Sequence, residues 1–427
     1  MTLSGSLWFV IFVTSLTTPY ILNFAKHGEI FYMPRILRII NRLNLGGPTY
    51  NAAYLSKYIG PEFETLLVSG MKDHAEESSE FIVKNLDLHP VYIPEMYREL
   101  HPFRDYRSYY KLRKLIDEFK PDIVHTHAAK AGAVGRLAAA HSGVKVIVHT
   151  FHGHVFHSYF NVVKTRMFLE IERYLAKKTT KIITLSEIQR QELSGIYKIA
   201  PEDKFAIVPL GFDLSKFEEG QEVKRAKFRN EYNIADDEIA IGIVGRLVPI
   251  KNHELFLKAL KIAEDKTGKK IRAFIIGDGE SRLNLEQMAQ SLGLKFNNDD
   301  LREKNVLTFT SWIREVDISN AGMDIIALTS NNEGTPVSLI EAQASGKPIV
   351  TTNVGGIEDI VLKNETAFLS PVGDEKAFAH NLLKLIEDAD IRQKMSERGN
   401  EFIRNKFSYQ RLCTDMASLY QGLLAGK

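Results

Sequence analysis

Two glutamates that bracket the start of a predicted helix carry the strongest chemical signal in this sequence. Residues 333–341 read Glu-Gly-Thr-Pro-Val-Ser-Leu-Ile-Glu. Threonine is favoured as an N-cap and proline at the first helical position, so the pattern predicts a helix that is capped by Thr335 and begins at Pro336. The free amides that follow, including that of Val337, have the positive end of the helix dipole behind them and favour a phosphate group.

The two carboxylates lie on either side of this predicted phosphate site. Glu333 precedes it, and Glu341 lies just over one turn beyond it, about 8 Å along the helix axis. This spacing suits a sugar on one side of a diphosphate and a ribose on the other. A structural interpretation is also open, in which Glu333 favours the helix dipole and Glu341 faces water. The following residues favour the functional interpretation, because helix, glycine stop, proline-led apolar strand and glycine loop succeed one another as in a nucleotide-binding sheet.

Two cations follow a glycine-ended strand pattern at residues 241–245. Arg246 and Lys251 lie five residues apart in a loop that precedes a predicted helix. The planar fork of arginine and the point charge of lysine together suit a departing diphosphate, without help from a metal ion. The alternative is that both are ordinary surface cations. Their position directly after a strand favours the functional interpretation.

A glycine pair follows the first predicted strand. Gly46 and Gly47 stand in the sequence Asn-Leu-Gly-Gly-Pro-Thr, just before a helical pattern. Glycines let the backbone approach a ligand, and the helix start offers its amides to an anion. A glycine pair alone is weak support, because most such pairs are turns. The carboxyl end of a parallel strand is where ligands gather, which favours a binding role.

Histidines follow two further strand patterns of the first half. Alternation along a strand places His125 and His127 on the same side, with His127 nearer the carboxyl edge, and His152 follows the next strand. A neutral imidazole at such an edge can donate or accept one hydrogen bond from a sugar hydroxyl. A metal site is the alternative, but no carboxylate lies nearby in sequence, so we predict none. We interpret His125 and His154 as packing or surface residues.

The elements that position these residues alternate between strand-like and helical patterns from residue 35 onward. This alternation predicts an α/β protein with mostly parallel sheets that are covered on both faces. The predicted strands are residues 35–40, 64–68, 91–93, 122–126, 144–150, 181–185 and 205–208 in the first half, and 239–244, 272–276, 306–309, 324–329 and 349–352 in the second.

The length of 427 residues predicts two domains, since it exceeds what one compact core usually holds. The apolar rhythm lapses into charged sequence near residues 213–236, which we predict to be a linker. We therefore predict a first domain at 34–212, a second at 237–406, and a final helix at 407–427 that crosses back to the first domain.

Composition excludes several classes of protein. A net charge of +2 argues against a nucleic-acid binder, which usually carries a strong basic stripe. The single cysteine precludes an internal disulfide and fits a reducing compartment, so we predict a cytoplasmic location.

The first 33 residues form an apolar extension that carries no charge before Lys26, so it lacks the basic start of a secretory signal. Two interpretations are open for this extension. It is a short membrane anchor that leaves the body of the protein at the inner face of the membrane, or translation begins at Met33 and the extension is an artefact of the start site.

The motifs together resemble those of the retaining glycosyltransferases of family 4, the group 1 glycosyltransferases. The resemblance covers nearly the whole chain from residue 35 and includes further motifs in the second half, Gly-Asp-Gly-Glu at 277–280 and Gly-Gly at 355–356. It implies the GT-B fold, in which two Rossmann-like domains face each other across a cleft. Residues 1–33 have no counterpart in the family pattern.

The resemblance implies specific roles in the second domain. Arg246 and Lys251 would bind the diphosphate and offset the charge that develops as it leaves. Glu341 would hold the ribose hydroxyls and Glu333 the donor sugar. The amides after Gly334, at the Thr-Pro-Val corner, would bind the distal phosphate.

In the first domain, the resemblance implies that Gly47 closes on the phosphate and that His127 touches the sugar near the reacting carbon. Gly46 and His152 are weaker candidates for the acceptor side. The implied reaction retains the anomeric configuration by a same-face route in which the leaving phosphate oxygen takes the acceptor proton. It uses neither metal nor cofactor beyond the sugar nucleotide.

The resulting expectation is transfer of a hexose-type sugar from a nucleoside diphosphate to a saccharide or lipid-linked saccharide, in surface polysaccharide assembly. A basic aromatic segment at residues 103–114 adds peripheral membrane contact as an alternative to an ordinary solvated helix. The rivals are an epimerase or a pyridoxal-dependent phosphorylase on the same scaffold, and a sugar-nucleotide-binding assembly subunit without turnover. A subunit without turnover could lose Arg246, Lys251 or either glutamate freely. All four are present, which favours catalysis.

Overall fold

Long buried strands organise the chain into two sheets. The computed structural model describes residues 32–43, 47–71, 80–97, 99, 101–153, 162–298 and 303–426, with the side chains of 162 and 163 excepted. Gly46, His154 and nearly all of the N-terminal extension therefore lie outside the described residues. Strand interiors are buried and mostly apolar, as expected of parallel strands that are covered by helices on both sides.

The first sheet has seven parallel strands in the described part of the chain, in the spatial order β3-β2-β1-β4-β5-β6-β7. The strands are β1 (Arg35–Ile40), β2 (Glu64–Gly70), β3 (Val91–Ile93), β4 (Ile123–His127), β5 (Val146–Thr150), β6 (Lys181–Thr184) and β7 (Phe205–Ile207). The helices of this lobe are α1 (Gly47–Tyr58), α2 (Glu80–Asn85), α3 (Pro102–Phe119), α4 (Ala129–His141), α5 (Val162–Lys178) and α6 (Glu187–Gln191).

The second sheet has seven parallel strands within the described ranges, in the order β10-β11-β9-β8-β12-β13-β14. The strands are β8 (Glu238–Val244), β9 (Lys270–Ile276), β10 (Phe296–Asn298), β11 (Leu307–Phe309), β12 (Ile325–Leu328), β13 (Ile349–Thr352) and β14 (Ala367–Ser370). Its helices are α7 (Ser215–Glu218), α8 (Gln221–Glu231), α9 (His253–Lys266), α10 (Arg282–Ser291), α11 (Val316–Gly322), α12 (Val337–Ala344), α13 (Ile357–Ile360), α14 (Glu375–Glu387) and α15 (Ala389–Phe407).

These two sheets confirm the predicted α/β class with two Rossmann-like domains. Each sheet reverses its strand order at one point, between β1 and β4 in the first lobe and between β8 and β12 in the second. Ligands of open parallel sheets bind outside the carboxyl ends of the strands at such reversals. The residues that follow these four strands are therefore the place to look for a site.

The stretch at 213–236, where we predicted a linker, contains α7 and α8. Phe217 and Phe228 of these helices are buried in the core of the second lobe. Charged residues on the outer helix faces interrupt the apolar rhythm there, although the inner faces are packed.

The last helix, α16 (Tyr409–Ala425), packs on the first lobe, where Leu412 and Tyr420 join a core that includes Ile36 of β1. Backbone hydrogen bonds tie the crossing point to the end of the first lobe. The amide of Phe212 donates to the carbonyl of Phe407 at 2.8 Å, and the amide of Tyr409 donates to the carbonyl of Phe212 at 3.0 Å.

Candidate active site

At the β8/β12 reversal of the second lobe, the loop after β8 and the loop after β12 are hydrogen-bonded to each other. The amide of Asn331 donates to the carbonyl of Ile250 at 2.8 Å, and the hydroxyl of Thr329 donates to the carbonyl of Lys251 at 3.0 Å. The side-chain amide of Asn252 donates to that of Asn331 at 3.0 Å. These bonds place the loop after β12 directly against the turn that begins α9.

Because the two loops are hydrogen-bonded to each other, Lys251 contacts Glu333 although the two are 82 residues apart in the chain. The ammonium nitrogen lies 2.5 Å from Oε1 of Glu333, which also accepts a hydrogen bond from the hydroxyl of Ser330 at 2.6 Å. Both side chains are largely buried. An ammonium has three donors, so Lys251 can hold Glu333 and still bind a phosphate oxygen.

The loop after β13 packs against the backbone of Glu333 and hydrogen-bonds to it. The amide of Gly356 donates to the carbonyl of Glu333 at 3.2 Å. Gly355 has φ +49°, and a Cβ at this position would overlap the carbonyl oxygen of Glu333. Only glycine permits this close approach of two backbones.

Arg246 is positioned by a similar close packing of backbones. The amide of Gly245 donates to the carbonyl of Ile276 at 3.0 Å, and that of Leu247 donates to the carbonyl of Asp278 at 2.9 Å. The guanidinium itself is exposed, with neither a hydrogen bond nor an ion pair to the described residues. Its donors are therefore free for a ligand at the carboxyl edge of β8.

Helix α12 begins one residue later than predicted. Pro336 is its N-cap and Val337 its first residue, while Thr335 precedes the cap, so the prediction that Thr335 caps a helix beginning at Pro336 is wrong. The ψ angle of Pro336 is 104°, which keeps this residue extended and delays the first turn. Gly334 lies two residues before the cap. The first turn of the helix still begins at the carboxyl edge of the sheet, where the loop after β12 ends.

Glu341 lies on α12 and is partly buried. Desolvation raises its pKa to about 7; the charge of Lys216 opposes this rise and that of Asp317 adds to it. The pKa of Tyr50 in α1 is raised by burial and further by the charge of Glu341. Since Tyr50 belongs to the first lobe, the charge of Glu341 acts on a group of the opposite lobe.

A cavity of about 160 Å³ between the lobes brings the start of α12 close to the first lobe. Thr335 lines it together with Ile207, Pro209 and Leu210 of the first lobe. Gly47 opens α1 on the same side, where an added Cβ would lie 3.3 Å from Cδ1 of Leu210. The carboxyl edges of the two sheets therefore face each other.

The histidines of β4 and the one that follows β5 form a buried group. His125 and His127 lie on one side of β4 with ring centroids 4.1 Å apart, as the alternation predicted. Nδ1 of His127 lies 2.9 Å from Nε2 of His152. Burial lowers the pKa of His127 well below its usual range and that of His152 to about 3, so both rings are neutral.

Two members of this group were missed by sequence reasoning. Arg38 in the middle of β1 and Tyr420 of α16 both contact His125. An arginine at the centre of the apolar run Arg-Ile-Leu-Arg-Ile-Ile was an available signal, because a buried strand seldom carries a charge. Nothing in the sequence around Tyr420 distinguishes it from the other buried residues of α16.

Among the described residues, no three or more histidine, cysteine, aspartate or glutamate side chains are grouped so that they could hold a metal ion. Over the same ranges, every helix is too short or too polar to cross a lipid bilayer.

Comparison with known proteins places both lobes in described families. Residues 224–402 match the glycosyl transferases group 1, and residues 46–216 match Glycosyltransferase Family 4. The two matches together include Arg246, Lys251, Glu333 and Glu341 in the second lobe and His125, His127 and His152 in the first.

Curated relatives match along most of their length. A UDP-Gal:alpha-D-GlcNAc-diphosphoundecaprenol alpha-1,3-galactosyltransferase of Escherichia coli is 28% identical over 338 residues, which cover 79% of this chain and 84% of that protein. The capsular polysaccharide biosynthesis glycosyltransferase CapM of Staphylococcus aureus is 28% identical over 372 residues, which cover 85% and 93%.

Solved structures share the fold. HepE of Anabaena in complex with UDP superposes with a TM-score of 0.75 at 18% identity, over 91% of this chain and 100% of that one. WaaG, a glycosyltransferase involved in lipopolysaccharide biosynthesis, superposes with a TM-score of 0.64 at 16% identity, over the same 91% and 100%.

Proposed function

Because this chain belongs to the group 1 glycosyltransferases of family 4, we propose that it moves a hexose-type sugar from a nucleoside diphosphate to a saccharide acceptor with retention of anomeric configuration. The observation that carries the proposal is the pairing of Lys251 with Glu333, together with the exposed Arg246 that directly follows β8, at the strand reversal of the second lobe. This arrangement combines two cations for a diphosphate with a carboxylate for sugar hydroxyls.

In the proposed reaction, the bond between the anomeric carbon and the diphosphate oxygen breaks while a bond from the acceptor oxygen forms on the same face. The acceptor proton passes to the departing phosphate oxygen. Arg246 and Lys251 stabilise the negative charge that collects on the diphosphate, without a metal ion. Glu333 orients the sugar, and His127 contacts it from the first lobe.

We assign the remaining donor contacts to α12 and the corner that precedes it. The amides after Gly334 would bind the distal phosphate, with Thr335, Pro336 and Val337 forming the corner. Glu341 would accept hydrogen bonds from the ribose hydroxyls. Its pKa near 7 falls when those hydroxyls donate to it, because hydrogen bonds to a carboxylate favour the charged form.

For the acceptor we propose a lipid-linked saccharide in surface polysaccharide biosynthesis, handled at the inner face of the cell membrane. The E. coli relative is named for a diphosphoundecaprenol acceptor, and CapM for capsular polysaccharide. Helix α3 supports this choice, since Phe103, Tyr106 and Tyr110 are exposed and the guanidinium of Arg107 lies over the ring of Phe103. Exposed aromatics among cations suit the interface of an anionic membrane.

Vesicle binding tests the membrane contact. We expect the protein to sediment with vesicles that contain anionic phospholipid, and to be released by salt, because the attraction is partly electrostatic. The triple substitution Phe103→Ser, Tyr106→Ser and Tyr110→Ser should weaken binding about tenfold. Leu283→Ser, an equally exposed apolar position of the second lobe, is the matched control. Equal binding by neutral vesicles, or by the triple variant, would contradict a role for α3.

The function itself is tested with a panel of nucleotide sugars. We expect slow hydrolysis of one donor without acceptor, faster transfer with a saccharide diphosphate lipid, and a product with the donor's anomeric configuration by NMR. Conversion of the donor sugar without acceptor would identify an epimerase. Donor binding without hydrolysis or transfer would identify an assembly subunit, and an inverted product would refute retention.

A further inference from the structure

A buried arginine contacts His125, the neighbour of the paired histidines, and no carboxylate among the described residues neutralises it. Arg38 is fully buried, and its Nη1 donates to Nδ1 of His125 at 2.8 Å and to the hydroxyl of Tyr420 at 3.1 Å. Its Nε and Nη2 have no partner, and within the described ranges no acidic side chain pairs with the guanidinium. Burying an unpaired charge costs stability, so a buried cation of this kind points to a role in function.

The contacts of Arg38 determine which ring nitrogen of His125 carries the proton. A guanidinium only donates, so Nδ1 of His125 is an unprotonated acceptor. Nε2 then bears the hydrogen and donates to Oγ1 of Thr150 at 2.7 Å. The hydroxyl of Tyr420 lies 2.5 Å from the same Nδ1. His125 is therefore a neutral imidazole that is held from β1, β5 and α16 at once.

In the neighbouring pair of His127 and His152, one ring nitrogen of each histidine has no hydrogen-bond partner among the described residues. One hydrogen lies between Nδ1 of His127 and Nε2 of His152. The outer nitrogens, Nε2 of His127 and Nδ1 of His152, are buried and have no partner among the described residues. In an uncharged pair, one outer nitrogen is a donor and the other an acceptor, whichever ring supplies the shared hydrogen. If the pair gains a proton, both outer nitrogens become donors.

A sugar hydroxyl is both donor and acceptor; the uncharged pair can use both functions, whereas the charged pair offers no acceptor for the hydroxyl hydrogen. We propose that Arg38, held by Tyr420, is a positioning residue that acts together with burial to keep the His127–His152 pair uncharged and therefore complementary to a hydroxyl of the transferred sugar. The inference rests on the proposed transferase function, because the sugar is the ligand that meets the pair. Arg38 acts through the histidines, since its Nη1 contacts His125 and Tyr420 rather than the pair itself.

The surroundings of His127 agree with this role. The titratable and charged groups around it and around Arg38 are Arg38 on β1, His125 on β4, His149 on β5, His152 after β5, and Cys413 and Tyr420 on α16. Burial is the largest cause that lowers the pKa of His127, followed by the charges of His125, His152, Arg38 and His149. Arg38 supplies the guanidinium in this set, and a cation beside a histidine opposes protonation of the ring.

The test is a histidine NMR titration of the full chain, with ring signals assigned through His125→Gln and His127→Gln. In the natural protein, we expect the rings of His125 and His127 to stay neutral from about pH 8 to about pH 5.5, and His125 to show the Nε2–H tautomer. In Arg38→Met, we expect His127 or His152 to titrate within that range. Arg38→Lys retains the charge and should restore neutrality.

Arg272→Met removes a buried arginine from β9 in the other lobe and should leave the histidine signals unchanged. Tyr420→Phe keeps the charge of Arg38 and should leave the rings neutral. A His127 that titrates in the natural protein, or an Nδ1–H tautomer of His125, would overturn the proposal even if Arg38→Met does not fold. Neutral rings in a folded Arg38→Met would show that burial alone suffices, and would also overturn it.

Turnover separates this inference from the proposed function. We expect the rate of Arg38→Met to fall about tenfold between pH 8 and pH 6, against less than about twofold for the natural protein. The NMR titration needs no donor, so a failed transferase assay would leave it standing. Transfer by the natural protein with histidines that titrate would reject the inference and keep the function.

Discussion

Arg246→Ala should reduce turnover by roughly 10²–10³-fold while leaving the fold intact, because it removes a charge that stabilises the departing diphosphate. The side chain is exposed and makes no hydrogen bond or ion pair with the described residues, so its loss should not change the melting temperature. Initial rates of sugar transfer and a thermal melt measure the two effects. Arg398→Ala, at an exposed arginine of α15 outside the cleft, is the control and should retain full activity.

Glu333→Ala should cause a loss of similar size for a different reason. It removes the carboxylate that would orient the donor sugar and leaves Lys251 and Ser330 without their shared acceptor. Glu333→Gln keeps the shape and an acceptor for Ser330, so it separates loss of charge from loss of packing. Near-normal rates in either Arg246→Ala or Glu333→Ala, in protein that melts normally, would refute the assignment of the site.

Gly355→Ala should lower activity by about 10²-fold although residue 355 would touch no substrate. The new Cβ would overlap the carbonyl oxygen of Glu333, so the loop after β12 must move away from the loop after β13. A displacement of about 1 Å in a positioning loop is enough to cost this much rate. Steady-state kinetics with saturating donor, together with a thermal melt, would measure the loss.

A second glycine separates displacement from backbone strain. Gly373 has φ +74°, and a Cβ there would meet nothing within 4 Å. Gly373→Ala therefore carries the strain of a left-handed residue, roughly 1 kcal/mol, without the overlap. We expect Gly373→Ala to lose stability but to keep its rate per folded molecule. If the two variants lose activity equally, displacement of Glu333 is not the cause.

The fold itself could be predicted largely from local patterns. Twelve of the strands were anticipated within a few residues, because a buried parallel strand is a continuous apolar run between turn residues. The missed strands, β10 (Phe296–Asn298) and β14 (Ala367–Ser370), are the edges of the second sheet on opposite sides. An edge strand is short and partly polar, as in Phe-Asn-Asn, and acquires its conformation from the neighbour that it pairs with.

Candidate donor residues were recognisable because their signals lie within a few residues of one another. The Gly-Thr-Pro corner, the glycine-ended strand before Arg246 and the alternation of His125 and His127 are all local. The first residue of α12 was still misplaced by one position, because the backbone of Pro336 remains extended. Local rules predict that a helix begins there but not the dihedral angles at its boundary.

The sequence by itself determined the class of fold, the carboxyl-edge location of the candidate residues and the family. Tertiary structure alone decided which of those residues meet. Lys251 contacts Glu333 across 82 positions, and Arg38 reaches Tyr420 across 382, because the strand order of each sheet and the return of α16 bring distant segments together. The charge state of the histidines was likewise invisible in sequence, since it depends on burial and on the neighbours that the packed lobes supply.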